Sequence, residues 1–75
     1  MAKREEIETY ILVIHNNLYH AIHGTAGEFK EVFLSIAEQQ KKRILEEYDL
    51  NTVLSIAREI LSGKEYEEFR SFMTK

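Results

Sequence analysis

Seventy-five residues suffice for one domain and not for two, so every element of residues 1–75 must share a single core. Apolar residues make up 44% and charged residues 31%, which excludes a disordered chain, and with no cysteine there is no disulfide to hold the fold. Thirteen acids against ten bases give a net charge of −3 with no dense basic face, which argues against nucleic-acid binding.

The chain opens with Lys3 and Arg4, but Glu5, Glu6 and Glu8 follow at once. The apolar run Tyr10 to Ile14 is far short of the ~20 residues of a membrane helix and too short for a secretory signal. The expected location is the cytoplasm or a membrane surface, reached without a signal peptide or transmembrane helix.

Proline is absent and no alternating strand pattern occurs, so the expected class is all-α, a small bundle of four or five short amphipathic helices. The first helix is predicted from Arg4 to His23, with Ile7, Ile11, Ile14, Leu18 and Ile22 on one stripe and Gly24 as its stop. Thr25 and Glu28 have the spacing of a capping box for the next helix, whose inward face reads Phe29, Val32, Phe33, Ile36 and Ala37. The polar stretch Glu38 to Arg43 then separates these from Ile44, Leu45 and Tyr48, leaving open one long helix or two joined by a bend. Within it, Lys41, Lys42 and Arg43 form a basic cluster flanked by acids, read as a solvated helix face.

Asp49 or Asn51 caps the following helix, where Leu50, Val53, Leu54, Ala57, Ile60 and Leu61 give the clearest stripe in the chain. Ser62 and Glu65 form a second capping box, after which Tyr66, Phe69, Phe72 and Met73 face inward. Short gaps between capped helices imply neighbours that fold back on one another.

Chemistry-bearing motifs are sparse. His20 and His23 stand one turn apart, but His15 lies about 140° round the helix from His20, so one metal cannot readily take both. No nucleophile sits beside a recognisable base, no glycine loop could cradle phosphate, and so small a bundle has little room for the ~300 Å³ of most small-molecule pockets. The expectation is a non-enzyme with no catalytic residue, metal or cofactor. A helix-turn-helix between Lys41 and Leu61 would offer only Arg58, beside Glu59, to the phosphates.

Helix one carries more apolar surface than one core stripe needs. With Ile11 and Ile14 inward, Leu12, Val13 and Tyr19 point away, toward another helix of the domain or toward a partner: a second copy, another protein or lipid.

The stretch Ile44 to Tyr48, followed by Val53 to Leu61 and the break Ser62-Gly63-Lys64, resembles the saposin-like family in its cysteine-free bacterial type, the Pas factor class. Tyr48 matches the tyrosine that ends a helix, and Leu54, Ile56, Ile60 and Leu61 match the aliphatic positions that follow. All six cysteines of the disulfide-bonded members are missing. The resemblance implies a folded-leaf arrangement whose helices open onto acyl chains, and hence a protein that perturbs bilayers or assists secretion. Tyr10, Leu12, Val13, Tyr19, Leu54, Ile56 and Leu61 are then the expected lipid- or partner-binding residues. The alternative is a small cytosolic protein-protein interaction or regulatory module, dimeric through Leu12, Val13 and Tyr19, with no nucleic-acid partner.

Overall fold

The stripes read from the sequence become four helices in the computed structural model, which describes residues 2–24 and 27–75: α1 (Ala2–Ile22), α2 (Lys30–Glu47), α3 (Leu50–Ile60) and α4 (Gly63–Met73). A 3-10 turn at Gly27–Phe29 leads into α2, and no strand occurs among the described residues. The capping box expected at Thr25 lies outside the described residues.

Helices α1 and α2 form an antiparallel hairpin, and its register can be read from three contacts. Tyr48 at the end of α2 donates to the Glu6 carboxylate, Val13 and Gln40 line one groove, and the His20 and Phe33 rings stand 5.4 Å apart. As residue numbers rise along α1, their partners fall along α2. Helices α3 and α4 then cover one side of this hairpin, where Arg4 of α1 reaches Glu59 of α3 and Lys41 of α2 reaches the end of α4.

Ile7, Ile11, Ile14 and Leu18 are buried as the stripe predicts, joined by Ala37 and Ile44 of α2, Val53, Ile56 and Ala57 of α3, Leu61, and Phe69, Phe72 and Met73 of α4. Ala37 and Ala57 have no exposed surface, and their small side chains let helices approach closely around the large ring of Phe69. Among the described residues, no polar or charged side chain is buried.

Two inward assignments are corrected. Ile22 is exposed and Ala21 takes the buried position in the last turn of α1, because the last turn of α4 leaves an open groove beside Ile22. Phe29 and Val32 are exposed, and Phe33 and Ile36 are only half-buried. In α2 the core stripe runs instead through Leu34, Ala37 and Ile44, the side that α3 and α4 cover.

The polar stretch Glu38 to Arg43 does not bend the chain: α2 is one helix from Lys30 to Glu47. Its Lys, Gln and Glu residues are good helix formers. Lys41 is more than a solvated side chain, since its stem packs over the Phe72 ring, with Nζ 5.1 Å from the ring centre. The same ammonium donates to the Phe72 carbonyl at 3.0 Å, adding to the long 3.5 Å bond that this carbonyl accepts from the Lys75 amide at the end of α4.

Side-chain caps set where α3 and α4 begin. Asp49, rather than Asn51, caps α3, accepting from the Thr52 hydroxyl at 2.6 Å and the Thr52 amide at 3.2 Å. These bonds, the hydroxyl first, hold its carboxyl below the usual carboxylate range. At α4 the Glu65 carboxylate accepts from the Ser62 hydroxyl at 3.0 Å and the Ser62 amide at 3.4 Å, and is held low for the same reason, the hydroxyl again dominating.

The glycines act differently from one another. Gly27 has φ +56, a left-handed conformation that costs other residues. Gly24 acts by close approach rather than by a left-handed φ: a Cβ there would stand 2.7 Å from the His20 carbonyl oxygen. A Cβ on Gly63, in the first turn of α4, would meet nothing within 4 Å. Gly27→Ala is therefore expected to lower stability by about 1–2 kcal/mol, whereas Gly63→Ala raises it by about 0.4–1 kcal/mol. Urea unfolding of the two variants checks this, and equal signs would contradict the assignment.

Candidate functional site

The apolar surplus of α1 is not covered by the rest of the bundle. Leu12 is 47% exposed, Val13 36% and Tyr19 47%, and three side chains are more exposed still: Ile22 at 51%, Phe29 at 57% and Val32 at 52%. Tyr10 and Leu54 are half-buried against the core, while Ile56 and Leu61 lie within it. In this closed arrangement Ile56 and Leu61 are out of reach of any partner, because the stripe that made them candidates is the one α3 uses to pack on the hairpin.

Nor do Leu12, Val13 and Tyr19 form one patch. Consecutive helical residues are about 100° apart, so Leu12 and Tyr19 lie within about 20° of each other and Val13 about 100° from Leu12. Tyr19 lines a cleft against α4 with His23, Ser62, Glu65 and Glu68. Val13 lines a different groove, with Glu6, Thr9 and Tyr10 of α1 and Gln40 of α2. The two sets face different neighbours.

Val13 belongs to a larger feature. On α1, residues 6, 10, 13, 17 and 20 alternate by four and three, and on α2, residues 33, 36, 40, 43 and 47 do the same, with Phe29 of the preceding 3-10 turn four residues before Phe33. This is heptad spacing, and it puts each set on one stripe. Because His20 contacts Phe33 and Val13 shares a groove with Gln40, the two stripes run side by side down the seam of the hairpin. The seam lies away from α4: His15, which faces Glu65, is about 160° round α1 from Val13.

The composition of that face is graded. Toward the turn residues 29–36 supply Phe29, Phe33, Ile36 and, at the edge, Val32, facing Asn17 and His20 of α1; Val13 and Gln40 lie midway, and the open end carries Glu6, Tyr10, Arg43 and Glu47. Periodicity groups Phe29, Val32, Phe33 and Ile36 with Ala37 on one inward face, whereas in the fold only Ala37 of these is buried. The signal that separates them is the second apolar stripe, Leu34, Ala37 and Ile44, on the same helix.

The histidines are engaged elsewhere. His23 Nε2 is 2.7 Å from Glu68, and His15 Nε2 is 3.8 Å from Glu65, so both pairs tie α1 to α4. His20 stacks obliquely on Phe33. Among the described residues, no three His, Cys, Asp or Glu side chains are grouped to hold a metal ion, and no helix is long and apolar enough to cross a membrane.

Room for a ligand exceeds the expectation from size, though only as open grooves. One of about 320 Å³ lies between α1, α2 and α4, floored by Leu18, Leu34 and Phe72. A broader depression on α2 is lined by Glu38, Lys42 and other polar side chains, with Leu45 the apolar exception. Comparison with protein-family models, with curated proteins and with solved structures returns no match for this chain.

At the open end of the seam, the Tyr48 phenol donates to Glu6. Losing that proton would break the bond and bring two negative charges together, so the Tyr48 pKa is pushed up from its ordinary 10.0 to about 12. A raised pKa stabilises the fold below the unfolded value and the effect is lost as pH rises through the folded one; the lowered carboxyls of Asp49 and Glu65 act oppositely, losing theirs as pH falls through the carboxylate range. Thermal melts are expected to fall between about pH 10 and pH 12, and Tyr48→Phe should flatten that alkaline limb without changing the acid one. An unchanged alkaline limb would remove Tyr48 from the account.

Proposed function

We propose that this chain is a small helical protein-protein interaction module that docks through the outer face of the α1–α2 hairpin. The observation that carries the reading is the double heptad stripe, whose apolar half leaves Phe29 and Val32 more than half exposed while the core is complete without them. A large apolar side chain held in water at such a position contributes nothing to folding, and contiguous exposed apolar surface on a small protein is characteristic of a binding face. Neutral polar residues interleave with the apolar ones, Asn17 and Gln40 on the seam itself. That mixture suits a face that is wet in the free protein and covered in a complex.

A photo-crosslinking amino acid in place of Phe33, with the same group in place of the exposed Ser55 on α3 as control, tests this in cell extract. Position 33 is expected to give a discrete crosslinked species that Ile36→Glu abolishes, and position 55 to give none. Equal labelling at the two positions, or none at either, would sink the reading.

A second reading, contact with a lipid surface, draws support from the groove floored by Leu18, Leu34 and Phe72, which opens beside exposed Ile22 and is rimmed by Lys30, Lys75 and Glu68. Protonating all three histidines takes the formal net charge from −3 to zero, which weakens repulsion from anionic lipid. Flotation with anionic liposomes is then expected to recover more protein at about pH 5 than at about pH 7.5. Equal recovery at both, or none, would count against lipid.

A further inference from the structure

We infer that the groove between α1, α2 and α4 binds one molecule of an anionic single-chain amphiphile, an unbranched aliphatic chain that ends in a carboxylate. This rests on the groove of the lipid reading, gives it one dissolved molecule in place of a bilayer, and does not depend on the outer face.

The shape favours a single chain. Leu18 and Ile22 stand one turn apart on α1, Lys30 and Leu34 one turn apart on α2, and Glu68, Ser71 and Phe72 follow one side of α4 around a space of about 320 Å³. Lining that keeps to the hairpin for a full turn makes a trough at least about 6 Å long. Leu18 and Phe72 are buried and form its floor, while Ile22 at the mouth is exposed. A flat bilayer would touch only the rim, whereas one chain can reach the floor.

The walls favour a chain without polar groups along its length. They are faces of helices, whose backbone donors and acceptors are already bonded within the helix. A peptide laid in the trough would give up the water on its amides and find few partners for them. An aliphatic chain has no such groups to lose, and covering Leu18, Leu34 and Ile22 removes apolar surface from water.

Charge at the rim selects the head group. Three charged side chains stand there, and they differ in what they already hold. Glu68 meets His23 Nε2 at 2.7 Å. Lys30 and Lys75 make no ion pair among the described residues, and the Lys75 ammonium lies 5.5 Å from the centre of the Phe72 ring, over the floor. A carboxylate at the mouth gains a charge-assisted bond to either ammonium. A cationic head would be repelled by both.

Two-dimensional NMR of the labelled protein, titrated with hexanoate, octanoate and decanoate below the concentrations at which they form micelles, tests this. Saturable shifts are expected at Ile22, Leu34 and Ser71, with affinity rising about fourfold per added methylene, the equivalent of about 0.8 kcal/mol, until the trough is full. Lys30 and Lys75 are exposed, so the double variant Lys30→Glu, Lys75→Glu should fold. It should bind decanoate about tenfold more weakly and prefer decyltrimethylammonium. Ile36→Glu, on the outer face, should bind decanoate as wild type does. No saturable shift with decanoate, shifts spread evenly over all four helices, or equal affinity for decanol and decanoate overturns the inference. Decanoate binding by a protein that does not float with liposomes keeps it and removes the bilayer, and flotation without decanoate binding does the reverse.

Discussion

Burial of the inner stripe of α1 is the constraint on which the rest of the molecule depends. Ile7, Ile11, Ile14 and Leu18 are covered from two directions, by α2 along the hairpin and by α3 and α4 across it. With no disulfide and a chain of this length, no second core exists to fall back on. Each fully buried side chain contributes about 1.5–3 kcal/mol of transfer free energy, offset by the conformational entropy of the ordered chain. Helix α4 enters that core with Phe69, Phe72 and Met73, so a short terminal helix supplies a large share of the apolar surface that closes it.

Polar interactions do a different job: they fix where helices start, stop and lie. Asp49 and Glu65 cap α3 and α4, and Lys41 reaches across from α2 to a carbonyl in the last turn of α4. His15 and His23 meet carboxylates of α4, and Arg4 joins Glu8 and Glu59 between α1 and α3. All lie at or near the surface, where water screens them and each is worth little alone. Their direction matters more than their strength, because these pairs hold α3 and α4 against one side of the hairpin, while Tyr48 and Glu6 join α2 to α1 at its open end.

That asymmetry turns a packing solution into a surface. Two helices covered on one side only must present their remaining stripe to solvent, and here the stripe is apolar toward the turn and charged toward the open end. The exposed Val32 is thus the counterpart of the half-buried Leu34 and the buried Ala37 on the same helix. Gly24 permits a close backbone approach at the end of α1, and Gly27 supplies a left-handed φ before α2.

The sequence by itself determined the all-α class, three of the helical stripes and the Ser62–Glu65 cap, because periodicity and capping residues act within a few positions of one another; it left open one helix or two before Tyr48, and Asp49 or Asn51 as the cap of α3. Helix α3 is the clearest case: Asp49 and the stripe from Val53 to Leu61 leave it one consistent conformation and one inward face. Helix α2 is the opposite case, since it has two apolar stripes and nothing local distinguishes Phe29, Phe33 and Ile36 from Leu34, Ala37 and Ile44. Only the tertiary structure decided between them, through the side on which α3 and α4 settle. The same is true of Leu12, Val13 and Tyr19, which sequence proximity grouped together and which the bundle assigns to different neighbours. Local propensity acts within one helix, whereas the inward face is chosen by the area that all the helices bury together.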